Sequence, residues 1–226
     1  MGDFEIVAGG DACLAIVFPP AIDEILTLRC ASIARAIESQ HVAAIRDIVP
    51  TFHTVAVYFD PHLIHRGALE AILQQCAGAT VPSDASEGRV IEVPVRYGGT
   101  FGPDLPAVAS FGGCTELEAA RLHSARLYRV FMLGFLPGFA YMGQVDERIA
   151  APRLDTPRAR VTAGSVAIAG RQTAIYPVDS PGGWQIIGRT SLRMFDPDRP
   201  NPFLLQSADR VRFVPVDAAG IEQPPR

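Results

Sequence analysis

Residues 77–88 read AGATVPSDASEG, small, polar and turn-forming, with no hydrophobic period. A stretch of this kind has too little apolar surface to join a core, so it divides the chain. The division gives a small domain over 1–80, a linker over 81–88 and a second domain over 89–226, and the two sides have different rhythms.

Before the divide, FEIVAG and CLAIVF read as strands, and Ile22, Leu26, Cys30, Ile33 and Ile37 recur at spacings of three and four, the stripe of a helix from about Ala21 to Glu38. AAIRDIVP and HTVAVYFD supply two further strands, and Asp60-Pro61 has the form of an N-cap and first-turn proline opening a helix to about Cys76. The order ββαββα makes a small α+β sandwich with its helices on one face of a sheet. After the divide, RVIEVPVRYGG is an alternating strand, and Thr115 with Glu118 forms a capping box for a helix over about Glu116–Ala125. LYRVFMLGF, SVAIAG, QTAIYP, WQIIGRT and RVRFVP are then short strands separated by Gly and Pro turns, the grammar of a closed or nearly closed β-barrel.

Composition removes several functions. With 48% hydrophobic and 19% charged residues the chain is globular, and a net charge of −4 supplies no basic face for nucleic acid. All 20 basic residues are arginine, so there is no phosphate-binding or Schiff-base lysine, and an anion must meet arginine forks or backbone N–H groups. MGDFEIVAGG has no basic, apolar leader pattern, no apolar run approaches a membrane span, and the expected location is cytoplasmic. Cys13, Cys30, Cys76 and Cys114 are scattered and read as reduced, mostly buried residues, and His62 and His65 would share a helix face without a third ligand, so no metal is expected.

Four segments carry more Gly, Pro, aromatic and polar residues than strand connections need. In VRYGGTFGPDLPAVA, Asp104 reads foremost as the cap of a following helix and secondarily as a functional carboxylate. In LHSARLYRVFMLGFLPGFAYMG, His123 lies late in a helix, where the dipole favours its protonated form, and Phe135, Phe139 and Tyr141 sit on a glycine-hinged loop that forbids an ordinary strand. Those aromatics either plug the barrel or wall a pocket for a flat ligand. In PRLDTPRARVTAGSVAIAG, Arg153, Arg158 and Arg160 stand among prolines, which lowers the entropy lost on binding an anion, and Gln172 and Thr173 follow on the next strand. In PVDSPGGWQIIGRT, Pro181, Gly182 and Gly183 read as a tight turn delivering Trp184, with Arg189 at the far end of the strand.

In that order these segments resemble the family of 5-oxoprolinase B subunits, formerly labelled allophanate hydrolase subunit 1, which includes the sporulation-kinase inhibitor KipI. The resemblance implies an α+β chain: a small ferredoxin-like α/β sandwich followed by a cyclophilin-like β-barrel. It implies a non-autonomous subunit of ATP-dependent 5-oxoprolinase, which cleaves 5-oxo-L-proline to L-glutamate together with A and C subunits. The C subunit is the tighter expected partner, and ATP is expected in a shared site or on a partner. The alternative is a KipI-like inhibitor of a sensor histidine kinase. Within the enzyme reading Arg158 holds an anion, substrate carboxylate or phosphate, and Gln172 bonds the lactam. Phe135, Phe139 and Trp184 wall the pocket, His123 is the candidate for proton transfer, and Asp104, Arg153 and Arg189 are further candidates. Thr162 stands where family members commonly carry proline, which loosens the turn after Arg160.

Overall fold

The computed structural model describes residues 3–21, 23–78 and 88–216. The chain forms two compact units, 1–87 and 88–226. Ile22 and residues 79–87, which include all of the expected linker except Gly88, lie outside the described residues.

In the first unit the strands β1 (Glu5–Ala8), β2 (Cys13–Val17), β3 (Ile45–Pro50) and β4 (Thr54–Phe59) make an antiparallel sheet in the order β1-β2-β4-β3. Alternation turns Leu14, Ile16, Val55, Val57 and Phe59 to one face, where they meet Cys30, Ile33 and Ile37 of helix α1 (Glu24–Glu38) and Leu69 and Leu73 of α2 (Arg66–Ala77). Asp23, in an extended conformation, starts α1 by accepting from the Leu26 N–H at 2.8 Å. The second helix begins later than expected. Asp60 accepts from the His62 N–H and pairs with Arg46, which spends the expected cap on a turn, and His65 takes the N-cap position of α2. His62 and His65 therefore do not share a helix face. The order ββαββα differs from the βαββαβ of a ferredoxin-like chain in that the place beside β2 is filled by the first strand. Burial pushes the Cys30 thiol up to about 11, as befits an unreactive core residue.

In the second unit β5 (Val90–Tyr97), β6 (Leu127–Leu133), β7 (Ala140–Gly143), β9 (Ser165–Ala169), β10 (Gln172–Ile175), β12 (Gln185–Arg189) and β13 (Arg210–Pro215) close the expected barrel in the order β10-β7-β6-β13-β5-β12-β9. Its interior is filled by Val93, Val95, Tyr128, Val130, Met142, Val166, Ile168, Ile187, Val211 and Phe213. Helices α3 (Leu105–Phe111) and α4 (Glu116–Ser124) pack on β12 and β13, and Thr115 caps α4 by accepting from the Glu118 N–H, as the capping box predicts. Two expectations are corrected. The loop held to forbid a strand contains β7, because its glycines fall at the strand's ends and Gly143 lies under the Phe131 ring. The expected turn at Pro181 is instead a strand, β11 (Ser180–Gly182), paired with β8 (Arg158–Val161) in a separate ribbon. No helix among the described residues is long and apolar enough to cross a membrane.

Candidate functional site

The site is built on the outside of the barrel. Along β9, Val166 and Ile168 face the interior, while Ala167 and Ala169 face outward with Ala174 of β10 and Ile186 of β12. Three alanines on that outer face leave depth for a second layer of large side chains, and Phe139, Tyr176 and Trp184 fill it. Phe139 is the hub: its ring meets those of Tyr141, Tyr176, Phe135 and Trp184 edge-on at 4.9, 5.3, 5.5 and 5.6 Å. Phe139 and Trp184 are only 1% and 5% exposed, whereas Phe135 is 62% exposed. Arg153 lies over the Trp184 ring at 5.6 Å from its centroid.

The glycines before Trp184 divide their work. A side chain on Gly182 would meet the Tyr176 hydroxyl at 2.2 Å, so only glycine lets the ribbon lie on that tyrosine. Tyr176 and Trp184 both pack on the Phe139 ring, so the tyrosine that Gly182 covers belongs to the same layer as the tryptophan. Gly183 has ordinary room, with Pro157 at 3.5 Å.

Arg158 reaches this layer through a β-bulge. Val161 pairs with Ser180 and Arg158 with Gly182, so β8 spends one residue more than β11 over the same span. The extra residue leaves Ala159 and Arg160 outward and returns both Arg158 and Val161 to the side of Ser180 and Gly182. There Arg158 Nη2 donates to Asp104 Oδ1 at 2.6 Å, while Asp104 Oδ2 accepts from the Ile186 N–H at 2.6 Å. Asp104 makes no side-chain cap on α3, which corrects the capping reading. Its carboxylate instead ties the 98–104 loop to β12 and fixes one edge of the guanidinium. The other edge is unspent: Arg158 Nη1 and Ser180 Oγ are buried without a hydrogen-bond partner, as are Gln172 Nε2 and Gln185 Oε1.

These four atoms do not form one cluster. Gln185 pairs with Ile168 and therefore faces inward, where its Nε2 donates to the Pro152 carbonyl. Gln172 faces outward with Ala174 and Tyr176, but Tyr176, the residue near Arg158, is about 13 Å further along the strand direction. Arg189 and Arg160 serve a different purpose. Asp179 accepts from the Ala163 N–H at 2.7 Å and pairs with Arg160, and Arg189 Nε donates to the Ala163 carbonyl, so the turn expected to be loosened by Thr162 is tied from both sides. Among the described residues no group of His, Cys, Asp and Glu is placed to hold a metal ion.

His123 is 0% exposed and packs against the Tyr128 and Phe213 rings, which also touch each other. Thr173 Oγ1 donates to the Ala167 carbonyl at 3.0 Å, so it accepts from His123 Nε2 at 2.8 Å, and Tyr97 donates its hydroxyl to Nδ1 at 2.7 Å. Burial pushes the ring from 6.5 down to about 3, which overturns the expectation of a protonated side chain and leaves a neutral, fully bonded core residue. Between about pH 6.5 and 3 the unfolded chain binds a proton that the folded chain refuses, so stability is full above that window and falls as pH drops through it. At pH 5 the expected loss is about 2 kcal/mol relative to pH 7.5. Urea unfolding of the wild type and His123→Gln at both pH values checks this: the variant should lack most of that pH-dependent loss, and equal losses would contradict the assignment.

The chain matches the family model described as "Carboxyltransferase domain, subdomain C and D" over residues 4–205. It is 36% identical over 225 residues to the B subunit of 5-oxoprolinase from Bacillus subtilis (strain 168), covering 94% of this chain and 93% of that protein. The chain belongs to the family of 5-oxoprolinase B subunits. The 5-oxoprolinase B subunit of Escherichia coli O157:H7 is 54% identical over 129 residues, 57% of this chain and 59% of that protein. Among solved structures, that of TTHA0988 superposes with a TM-score of 0.81 at 37% identity; 94% of this chain is covered but only 41% of TTHA0988, a longer protein. The K. lactis urea amidolyase shares the fold, with a TM-score of 0.76 at 18% identity over 94% of this chain and 15% of that one. In this member of the family, Arg158 and Trp184, candidates from the sequence, lie in one layer with Ser180 and Tyr176, which were not candidates because strand register rather than a local motif sets their direction.

Proposed function

We propose that the chain is a non-autonomous subunit of an ATP-dependent 5-oxoprolinase, acting with A and C subunits to open 5-oxo-L-proline to L-glutamate. The observation that carries this reading is the match to a 5-oxoprolinase B subunit across nearly the whole of both chains. The reaction adds water across the lactam C–N bond while ATP becomes ADP and phosphate, and a five-membered lactam is a poor electrophile without that coupling.

The geometry supports a binding and positioning role for this subunit. Arg158, oriented by Asp104, offers one unspent N–H edge, and Gln172 offers an unspent amide donor. They stand toward different ends of the outer face, further apart than one five-membered lactam spans, so the anion is assigned to Arg158 and Gln172 is given no group of the same substrate molecule. Phe139, Tyr176 and Trp184 supply an apolar, water-poor backing that strengthens such hydrogen bonds. His123 is left out, because a fully buried neutral ring bonded at both nitrogens presents neither of them to a substrate. The expected effect of Arg158→Ala in the reconstituted three-subunit enzyme is a loss of about 100-fold in kcat/KM for 5-oxoproline. Unchanged activity would remove the arginine from the mechanism.

A further inference from the structure

We infer that the bulge of the β8–β11 ribbon is the subsite for the substrate's carboxylate, read by Arg158 Nη1 together with Ser180 Oγ, and that it excludes the phosphates of a nucleotide. This rests on the 5-oxoprolinase reading for the identity of the substrate, and it adds which end of that substrate meets which atoms.

Strand register places both donors on the same side. Ser180 and Gly182 are two apart on β11 and so point the same way, and the bulge brings Arg158 opposite Gly182 with Val161 opposite Ser180. Ser180 is 8% exposed and its hydroxyl has no partner, and Arg158 Nη1, on the same side of the ribbon, has none either. Two buried donors left unpaired on one side of the ribbon are costly unless a group fills them. A hydroxyl rotates to suit its acceptor and a guanidinium edge is fixed, a pair that fits the two oxygens of a carboxylate.

Charge selects among anions. Asp104 holds Arg158 at 2.6 Å, so this pair carries no net charge before any ligand arrives. A monoanion with two acceptor oxygens completes the hydrogen bonds at little electrostatic cost, whereas a phosphate of about two negative charges meets the Asp104 carboxylate across the guanidinium.

Trp184 is the only tryptophan, and it packs on Phe139 together with the Tyr176 that lies on Gly182, so its fluorescence reports on the subsite in the full isolated chain. The chain is titrated with 5-oxoproline, with 2-pyrrolidinone, which is the same ring without the carboxylate, with inorganic phosphate and with ATP. Expected is a saturable change with 5-oxoproline alone, weakened about tenfold or more by Arg158→Lys and about threefold by Ser180→Ala. Flat titrations throughout would mean that water satisfies these donors and would overturn the inference. An equal response to 2-pyrrolidinone would overturn the carboxylate assignment, and a response to phosphate or ATP would overturn the exclusion. The ligand panel uses the unaltered protein, so it stands even where a variant fails to fold. Binding of 5-oxoproline without turnover in the three-subunit mixture would keep the subsite and sink the enzyme reading. Turnover with the wild-type KM in both variants would sink the subsite and keep the enzyme.

Discussion

Asp104→Ala should destabilise the barrel by about 2 to 3 kcal/mol, because one carboxylate serves two partners that no other group replaces. The buried Ile186 N–H loses its acceptor, and Arg158 loses the group that orients its guanidinium. Most of the expected loss comes from the stranded N–H, since the Arg158 side chain is about a third exposed and water screens part of its charge. Asp104→Asn keeps an acceptor for Ile186 but not the charge that fixes the arginine, so it should cost about 1 kcal/mol while still raising KM for the substrate. Denaturant unfolding of the barrel transition measures the first effect and steady-state kinetics the second. A loss below about 0.5 kcal/mol for the alanine variant would show that the 98–104 loop is not held as described.

Gly102→Ala should be more damaging still, at about 3 kcal/mol or more. A side-chain carbon there would lie 2.1 Å from the Ile187 carbonyl oxygen and 2.7 Å from the Gly98 nitrogen, both backbone atoms that cannot swing aside. The loop would have to lift from β12, giving up the bonds from the Gly98 N–H to Ile187 and from the Asp104 N–H to Ile186. The control is Gly99→Ala. That glycine has a positive φ, +54°, but faces open space, so only the backbone penalty of about 1 to 2 kcal/mol remains. Melting temperatures of the two variants separate steric contact from backbone strain, and equal losses would contradict the account.

What was legible in the sequence follows from where each signal is written. Strands such as Ser165–Ala169 and Gln185–Arg189 carry their own β-branched residues, and Thr115 and Glu118 mark a helix start within one turn. Strands β7, β8 and β11 have only 4, 4 and 3 residues and are rich in Gly, Pro or Arg, so pairing partners elsewhere in the chain create them. Asp104 has the local form of a helix cap, yet its carboxylate is drawn to an arginine 54 residues away. His123 shows the same competition: the helix end favours a charged ring, but Tyr128, Phe213 and Thr173 enclose it, and burial outweighs the dipole. Arg158 stood out in the sequence as an arginine directly after a proline, whereas the direction of Ser180 is set only by a bulge in the opposite strand.

The most direct test of the functional account is 5-oxoproline-dependent release of ADP and glutamate by this protein mixed with candidate A and C subunits, with each omitted in turn. The account predicts full activity only in the complete mixture and none when this chain is left out. Activity that persists without it, or none in the complete mixture with all three proteins folded, would contradict the account; the second result would favour a regulator that binds a histidine kinase.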